Sequence, residues 1–158
     1  IPKSYITYLC MMGIRCWYMR EMLKDTASFF YHCDPAASHY IKMMLDVIFG
    51  IKNFRNEIIW HYTSGGLSKR TFACKHDIIF FYSKSEDYLF NVQTQQKDGA
   101  EAYTETDEKG KFAWYIKPGT NLKKPDGVKT YLDMYVHDVW DIPIINPMAK
   151  ERCKEVLP

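Results

Sequence analysis

Four side chains that could ligate a metal or take part in acid–base chemistry lie close together in the stretch SFFYHCDPAASHYIKMMLDVIFG: His32, Cys33, Asp34 and His39. A zinc site needs such ligands to converge in a tetrahedral arrangement. Neighbouring side chains of a strand point to opposite faces, so Cys33 would face away from His32. We therefore expect no metal here. The stretch favours a strand that passes through a cap into a helix.

The cysteines also speak against a metal or disulfide framework. The sequence has five of them, an odd number, and none forms a Cys-x-x-Cys pair. This usage disfavours both a disulfide scaffold and a zinc ribbon. Free thiols in a reducing compartment are the simplest interpretation, and we expect a cytoplasmic protein. No apolar run approaches the ~20 residues that a membrane-spanning helix needs, so no membrane partner is expected.

The composition is that of a folded domain, with 158 residues of which 47% are hydrophobic and 16% aromatic. Such a chain can bury a packed core. The net charge is only +2, so a surface that binds nucleic acid would have to be a local basic patch. The chain begins at Ile1 without a methionine and ends at Pro158 in a polar stretch, so we expect an excerpt of a longer protein.

Hydrophobic spacing predicts the elements that position these residues. Apolar residues recur at three- and four-residue spacing over residues 4–24, which predicts an amphipathic helix. The aromatic run SFFYHC follows, and its lack of alternation predicts a strand covered on both faces. Asp34 suits a helix cap, Pro35 the first helical position and Gly50 the end of that helix.

Residues 56–62 and 76–84 have the composition of two further strands. The connection between them, TSGGLSKRTFACK, contains paired glycines, hydroxyls and three cations. A surface loop of this composition is able to meet phosphates, and a plain solvated connection is the alternative. Residues 86–127 are polar with isolated aromatics, which predicts long loops and short strands.

Five stretches in this order resemble segments of the amino-methylating DNA methyltransferases. These are the S-adenosylmethionine-dependent enzymes of restriction–modification systems that modify adenine N6 or cytosine N4. The stretches are MREMLKDTAS; YHCDPAASHYIKMMLDVIFG; NFRNEIIWHY; KHDIIFFYSKSEDYLFN; and the pair TYLDMY and DVWDIPIINPMAKER. Together they span residues 5–152. The likeness is to the circularly permuted (beta-type) group, in which the catalytic half precedes the cofactor half.

The resemblance implies an α/β fold. It implies a partial Rossmann-like methyltransferase sheet of three strands with flanking helices, in which the last two strands pair antiparallel, and an irregular β-containing insert. Residues 1–85 would form the substrate-side half of a catalytic domain. Residues 86–158 would form a target-recognition-like region and the return to the core.

Two motifs of that family are absent from the sequence. One is the Asp-Pro-Pro-aromatic tetrapeptide that holds the amine and stacks on the base, since Asp34-Pro35-Ala36-Ala37 lacks the second proline and the aromatic residue. The other is the Phe-x-Gly-x-Gly turn that meets the cofactor. We therefore assign no catalytic and no cofactor-binding residue. S-adenosylmethionine is expected for the complete enzyme and not for this chain alone, which as an internal fragment is expected to be inactive.

An enzyme that modifies a base rotates it out of the duplex into a pocket of aromatic and hydrogen-bonding side chains. The resemblance implies that the connection after the second strand lies beside that pocket, with candidates Ser64, Ser68, Phe72 and His76 at its edge. Phosphate contacts are assigned to Arg55, Lys69, Arg70 and Lys75. Base reading is assigned to the insert, with candidates Gln93, Gln95, Gln96, Lys111 and Trp114. The alternatives are that His76 merely begins a strand and that the glutamines are merely solvated.

The residues and the resemblance leave three hypotheses. The chain is part of an adenine-specific DNA methyltransferase, a non-catalytic DNA-binding or assembly module of the same ancestry, or an inactive remnant; the first is preferred. Expected partners are double-stranded DNA and either the missing halves of the enzyme or a restriction subunit. The recognition sequence, the choice between adenine and cytosine, and the oligomeric state stay open.

Overall fold

The computed structural model describes residues 2–63, 68–114 and 128–144. In these ranges the chain forms the elements α1 (Lys3–Met22), β1 (Ser28–Cys33), α2 (Pro35–Phe49), β2 (Phe54–His61), β3 (His76–Ser83), β4 (Thr94–Gln96), β5 (Glu105–Asp107), β6 (Gly110–Trp114), β7 (Lys129–Tyr131), β8 (Asp133–Tyr135) and β9 (Val139–Asp141). Short 3-10 turns occupy Ile51–Asn53 and Ala100–Ala102. None of the helices described is long and apolar enough to cross a membrane.

The helix α2 begins and ends where its local signals predict. The carboxylate of Asp34 accepts from the backbone N–H of Ala36 at 2.6 Å, which satisfies one of the free N–H groups of the first turn. Pro35 occupies the first helical position, where a missing N–H costs nothing. Gly50 ends the helix at φ 87°, ψ 136°, a conformation open to glycine.

A four-stranded sheet in the order β1-β3-β2-β9 forms the centre of the first structural unit, which contains the chain up to residue 89 together with β9. The three predicted strands lie side by side in it, and β2 pairs with β3 antiparallel as predicted. β1 also pairs with β3 antiparallel. The short strand β9 pairs with β2 in parallel, and the hydrophobic pattern does not predict this fourth strand. The chain therefore has a mixed α/β fold.

Both helices contribute to one core with the sheet. α1 supplies Cys16 and α2 supplies the apolar side chains that recur at helical spacing. The buried members of the core are Cys16, Tyr31, Cys33, Ile41, Leu45, Phe49, Ile78, Phe80 and Tyr82. Burial of each large apolar side chain stabilises the fold by about 1.5–3 kcal/mol, so this layer fixes β1 and β3 and with them the ends of both strands.

Two predictions about which faces of β1 and α1 are apolar or buried are wrong. β1 alternates, because Tyr31 and Cys33 are buried whereas Phe30 is 54% exposed and His32 is also exposed. In the described ranges the core helices cover only one face of this strand. α1 has the predicted length and inward face, but Ile14 and Met22 leave its outward face apolar as well, so it is not amphipathic.

The second structural unit, residues 90–137, is built from short strands. β5, β6 and β7 form an antiparallel three-stranded sheet, and β4 pairs with β8. Phe112 and Leu132 are its buried apolar residues among those described. The amine of Lys129 lies 2.6 Å from the carboxylate of Asp107, which lowers the pKa of that carboxyl and raises the pKa of the amine.

Candidate nucleic-acid interface

One end of the four-stranded sheet gathers residues from three strands. β3 runs antiparallel to β1 and β2, so it begins beside the ends of those two strands: His76 pairs with His61, and Ile78 pairs with Cys33. The connection from β2 to β3 also leaves and returns here. Side chains far apart in sequence therefore meet at this end, which we call the β2–β3 edge.

Asp77 is the centre of a hydrogen-bond network at the β2–β3 edge. One carboxylate oxygen lies 2.9 Å from Nε2 of His32, and the other accepts from the hydroxyl of Tyr62 at 3.2 Å. The Asp77 side chain is 24% exposed, so water screens it only partly. A single carboxylate thus ties β1 to the residue that follows β2.

Aromatic rings surround this carboxylate. The rings of Trp60 and Tyr62 meet edge to face with centroids 5.9 Å apart, and the His32 ring lies 5.5 Å from that of Trp60. The indole N–H of Trp60 donates to the carbonyl of Ile142 at 2.7 Å, which fixes the ring against the chain that follows β9. The edge thus offers ring surface together with polar atoms.

Burial makes two groups, the Tyr62 hydroxyl and the Cys33 thiol, weak nucleophiles. Removal from water raises the pKa of Tyr62, and the Asp77 carboxylate raises it further. Burial likewise raises the pKa of the Cys33 thiol to about 12, with smaller contributions from the charges of Asp34, Asp77 and Glu57. Both groups are therefore protonated near neutral pH, and the edge can donate hydrogen bonds and stack rings rather than attack a substrate.

The connection that leaves the edge has hydrogen bonds at its base and at residues 68–71. The backbone N–H of Tyr62 donates to the carbonyl of Lys75 at 2.9 Å, which joins the two ends. The hydroxyl of Ser68 accepts from the backbone N–H groups of Arg70 and Thr71 at 3.3 and 3.1 Å, a hydroxyl turn of the kind found in tight loops. We call residues 68–75 the basic loop.

The end of α2 that follows β1 borders an open hollow of about 340 Å³, lined by Ser4, Tyr5, Tyr8, Asp34, Ala36 and Ala37. S-adenosylmethionine does not fit this lining. The lining contains neither a cation for the carboxylate of the methionine moiety nor a glycine turn. Its one carboxylate, Asp34, already caps α2. Within the described ranges no group of three His, Cys, Asp or Glu could hold a metal ion.

The sequence matches the family model of the N6 and N4 DNA methylases over residues 2–156, nearly the whole chain. The chain belongs to this family. The resemblance carried by the five sequence stretches is thereby confirmed.

Curated relatives of this DNA methylase chain are enzymes of restriction–modification systems. It is similar to the type II methyltransferase M.EcaI of Enterobacter cloacae, with 36% identity over 109 residues, 66% of this chain and 24% of the relative. It is 26% identical over 125 residues to the type II methyltransferase M.KpnI of Klebsiella pneumoniae, covering 77% of this chain and 29% of the relative.

A third relative is a Mod subunit of a type III restriction–modification enzyme of Escherichia coli. It is 22% identical over 180 residues, covering 98% of this chain and 28% of the relative. The methylase chain therefore spans about a quarter of the length of these relatives.

The fold brings one group of the predicted site residues of this methylase chain together. Ser68, Lys69, Arg70, Phe72 and Lys75 lie on the basic loop, and His76 begins β3 directly after it. Lys69, Arg70 and Phe72 are exposed. Ser64 lies outside the described residues.

Arg55 does not join that group, because it lies at the start of β2, away from the β2–β3 edge. Its guanidinium donates to the hydroxyl of Ser83 at 2.9 Å and to the carbonyl of Ser85 at 3.0 Å, and lies over the ring of Tyr88. These contacts bind β2 to the chain that leaves β3.

Lys111 and Trp114 lie on β6, and Gln95 and Gln96 on β4, all in the second unit. Gln93 lies just before β4 and, like the other two glutamines, is exposed. The indole N–H of Trp114 donates to the carboxylate of Glu105 at 2.7 Å, whereas Lys111 is exposed.

Sequence reasoning missed the network around Asp77. The carboxylate lies at the start of the otherwise apolar run DIIFFY, and this is the signal that marks it. A buried strand rarely includes a charge without a partner, so His32 and Tyr62 could have been sought as its partners. Only the registers of β3 against β1 and against β2 show that they are.

Proposed function

We propose that this chain is the DNA-facing part of a site-specific DNA methyltransferase of a restriction–modification system. The complete enzyme would transfer a methyl group from S-adenosylmethionine to adenine N6 or, as the second choice, cytosine N4. The observation that carries the proposal is the exposed basic loop at the β2–β3 edge of a chain that belongs to the N6 and N4 DNA methylases.

In the complete enzyme, DNA binding would belong to this chain, and catalysis and cofactor binding would need parts that its sequence does not contain. Neither the Asp-Pro-Pro-aromatic tetrapeptide nor the Phe-x-Gly-x-Gly turn occurs in the sequence. Residues 1–85 would supply the substrate-side half of the catalytic domain and residues 86–158 the target-recognition region. The isolated chain would bind duplex DNA in the cytoplasm and would transfer no methyl group until the missing parts join it. A restriction subunit is a further proposed partner, by analogy with relatives that are named Mod subunits.

Lys69 and Arg70 are the proposed phosphate contacts. Neither side chain forms an ion pair with any described residue, so both cations are available to a polyanion. Phosphate contacts position a protein on DNA without reading its sequence. Base reading would then belong to the second unit, where Lys111 and Trp114 stay the candidates.

The salt dependence of duplex binding tests this proposal. Each phosphate neutralised contributes about 0.9 to the slope of log K against log salt concentration, because it releases condensed counterions. We expect the double variant Lys69→Ala/Arg70→Ala to bind a labelled duplex with a slope that is less negative by about 2, measured by fluorescence anisotropy.

Lys52→Ala is the matched control, since Lys52 is an exposed cation beside the start of β2. It should leave the slope unchanged. An unchanged slope in the double variant would remove the basic loop from the DNA interface.

A non-catalytic DNA-binding module of the same ancestry is the second candidate. Extension of the reading frame on both sides separates the two. A tetrapeptide on one side and a glycine turn on the other support the enzyme, and stop codons on both sides support the module.

A further inference from the structure

Phe72 has no place in the core of this chain. Its side chain is 100% exposed, and it makes no ring contact with any described residue. Other aromatic residues of the same unit behave differently: Trp60 packs on Tyr62, and Phe30 stacks on Phe81 at 4.5 Å. A phenyl ring gains free energy when it leaves water, so a partner that covers Phe72 supplies a stabilisation that the chain itself does not provide.

The basic loop presents this ring in a fixed chemical setting. The Ser68 hydroxyl accepts from the backbone N–H groups of Arg70 and Thr71, so a partner cannot bind these two groups. The hydrogen bond from the Tyr62 N–H to the Lys75 carbonyl holds the base of the loop. Lys69 and Arg70, both exposed cations, lie three and two residues before Phe72 on the same loop. A partner for the whole loop must combine negative charge outside with flat apolar surfaces inside.

Duplex DNA has this combination, because phosphates line its outside and base planes form its interior. Apolar side chains of DNA-binding proteins are known to insert between base steps while cations hold the backbone. An acidic protein surface would satisfy the cations but would offer no gap for a flat ring. A stacking site between bases satisfies both.

We propose that Phe72 is a wedge that enters the base stack of the bound duplex and fills the space left by the base rotated outward. Lys69 and Arg70 hold the loop on the neighbouring phosphates. This inference rests on the proposed function and deepens it. Phe72 acts on the duplex that stays behind rather than on the methylated base, so it is a positioning residue.

A duplex with one missing base tests the wedge. Its gap is already open, so the wedge need not unstack a base to enter it. We expect the wild-type chain to bind this abasic duplex about tenfold more tightly than the intact duplex of the same sequence, and Phe72→Ala to lose that preference.

Phe72→Trp should keep the preference because it keeps a flat ring. The salt slope of binding should be the same in all three proteins, since no cation has changed. Val47→Ala, which truncates another exposed apolar residue, is the control and should keep the preference.

A fluorescent 2-aminopurine placed next to the gap gives a direct signal of stacking. Its emission should change when the wild-type chain binds and not when Phe72→Ala binds. Equal preference in wild type and Phe72→Ala, or no preference in wild type, overturns the wedge and leaves salt-dependent DNA binding intact. Failure of the wild-type chain to bind either duplex overturns the proposed function together with the wedge.

Discussion

At the scale of single residues, the site combines groups that local sequence marks with groups that it does not. The cations of the basic loop are predictable, because glycines, hydroxyls and lysines between two apolar strands indicate an exposed loop. The partners of Asp77 are not, because His32 reaches it only in the observed register of β1 against β3. A shift of one residue would turn His32 to the other face of the sheet.

The buried thiol of Cys33 gives the fold a measurable dependence on alkaline pH. Its pKa is raised from 9.0 to about 12, mainly by burial. Above about pH 9 the thiol ionises in the unfolded chain but not in the folded chain, and this difference lowers the free energy of unfolding. The stability it contributes is complete below about pH 9 and is lost as the pH rises toward 12.

We expect the free energy of unfolding to fall between pH 8 and pH 11 by about 2 kcal/mol more in the wild-type chain than in Cys33→Ala, measured by urea denaturation. Burial also raises the pKa of Tyr31 and of Tyr82, and both proteins keep these tyrosines, so their burial affects the two profiles alike; the Cys33 thiolate is only a minor cause of the raised pKa of Tyr31. Parallel pH profiles would show that the thiol ionises freely in the folded state.

At the scale of elements, short-range signals predicted more than long-range ones. β1 has the predicted bounds, and α2 begins at Pro35 and ends before Gly50, because a cap, a proline and a glycine each act on the next few bonds. β9 escaped prediction, since it is three residues long and exists by pairing with the distant β2. The apolar outward face of α1 escaped it as well, because helical spacing identifies an inward face but does not show that the other face is polar.

Gly50 is an element boundary that tolerates substitution poorly. Its backbone lies at φ 87°, ψ 136°, and a side chain added there would meet only Asn53 at an ordinary 3.9 Å. The cost of Gly50→Ala is therefore conformational, and we expect a loss of about 1–3 kcal/mol in the free energy of unfolding, measured by urea denaturation.

Gly13→Ala is the matched control, because Gly13 lies within α1 and an added side chain would contact the sulfur of Met44 at 3.4 Å. Alanine is the better helix former by about 0.5–1 kcal/mol, so this variant should be the more stable one. Equal losses in both variants would mean that the end of α2 is not fixed by glycine.

At the scale of the whole molecule, the fold places the basic loop, our proposed DNA contact, at the β2–β3 edge. The core helices fix the strands, the strands fix the β2–β3 edge, and the edge holds the Lys75 end of the basic loop. The chain spans 24% to 29% of the three relatives compared above, and its own sequence lacks both the catalytic tetrapeptide and the cofactor turn. We propose that DNA contact and methyl-donor binding belong to different parts of one enzyme.

Equilibrium binding of two labelled ligands to the same purified chain tests this division of roles. One ligand is a duplex and the other is S-adenosylmethionine, each titrated at low and at high salt. We expect saturable duplex binding that weakens steeply as salt rises, and no saturable binding of the methyl donor at either salt concentration. Saturable binding of the donor by the chain alone, or duplex binding that does not respond to salt, would show that the two roles are not divided in this way.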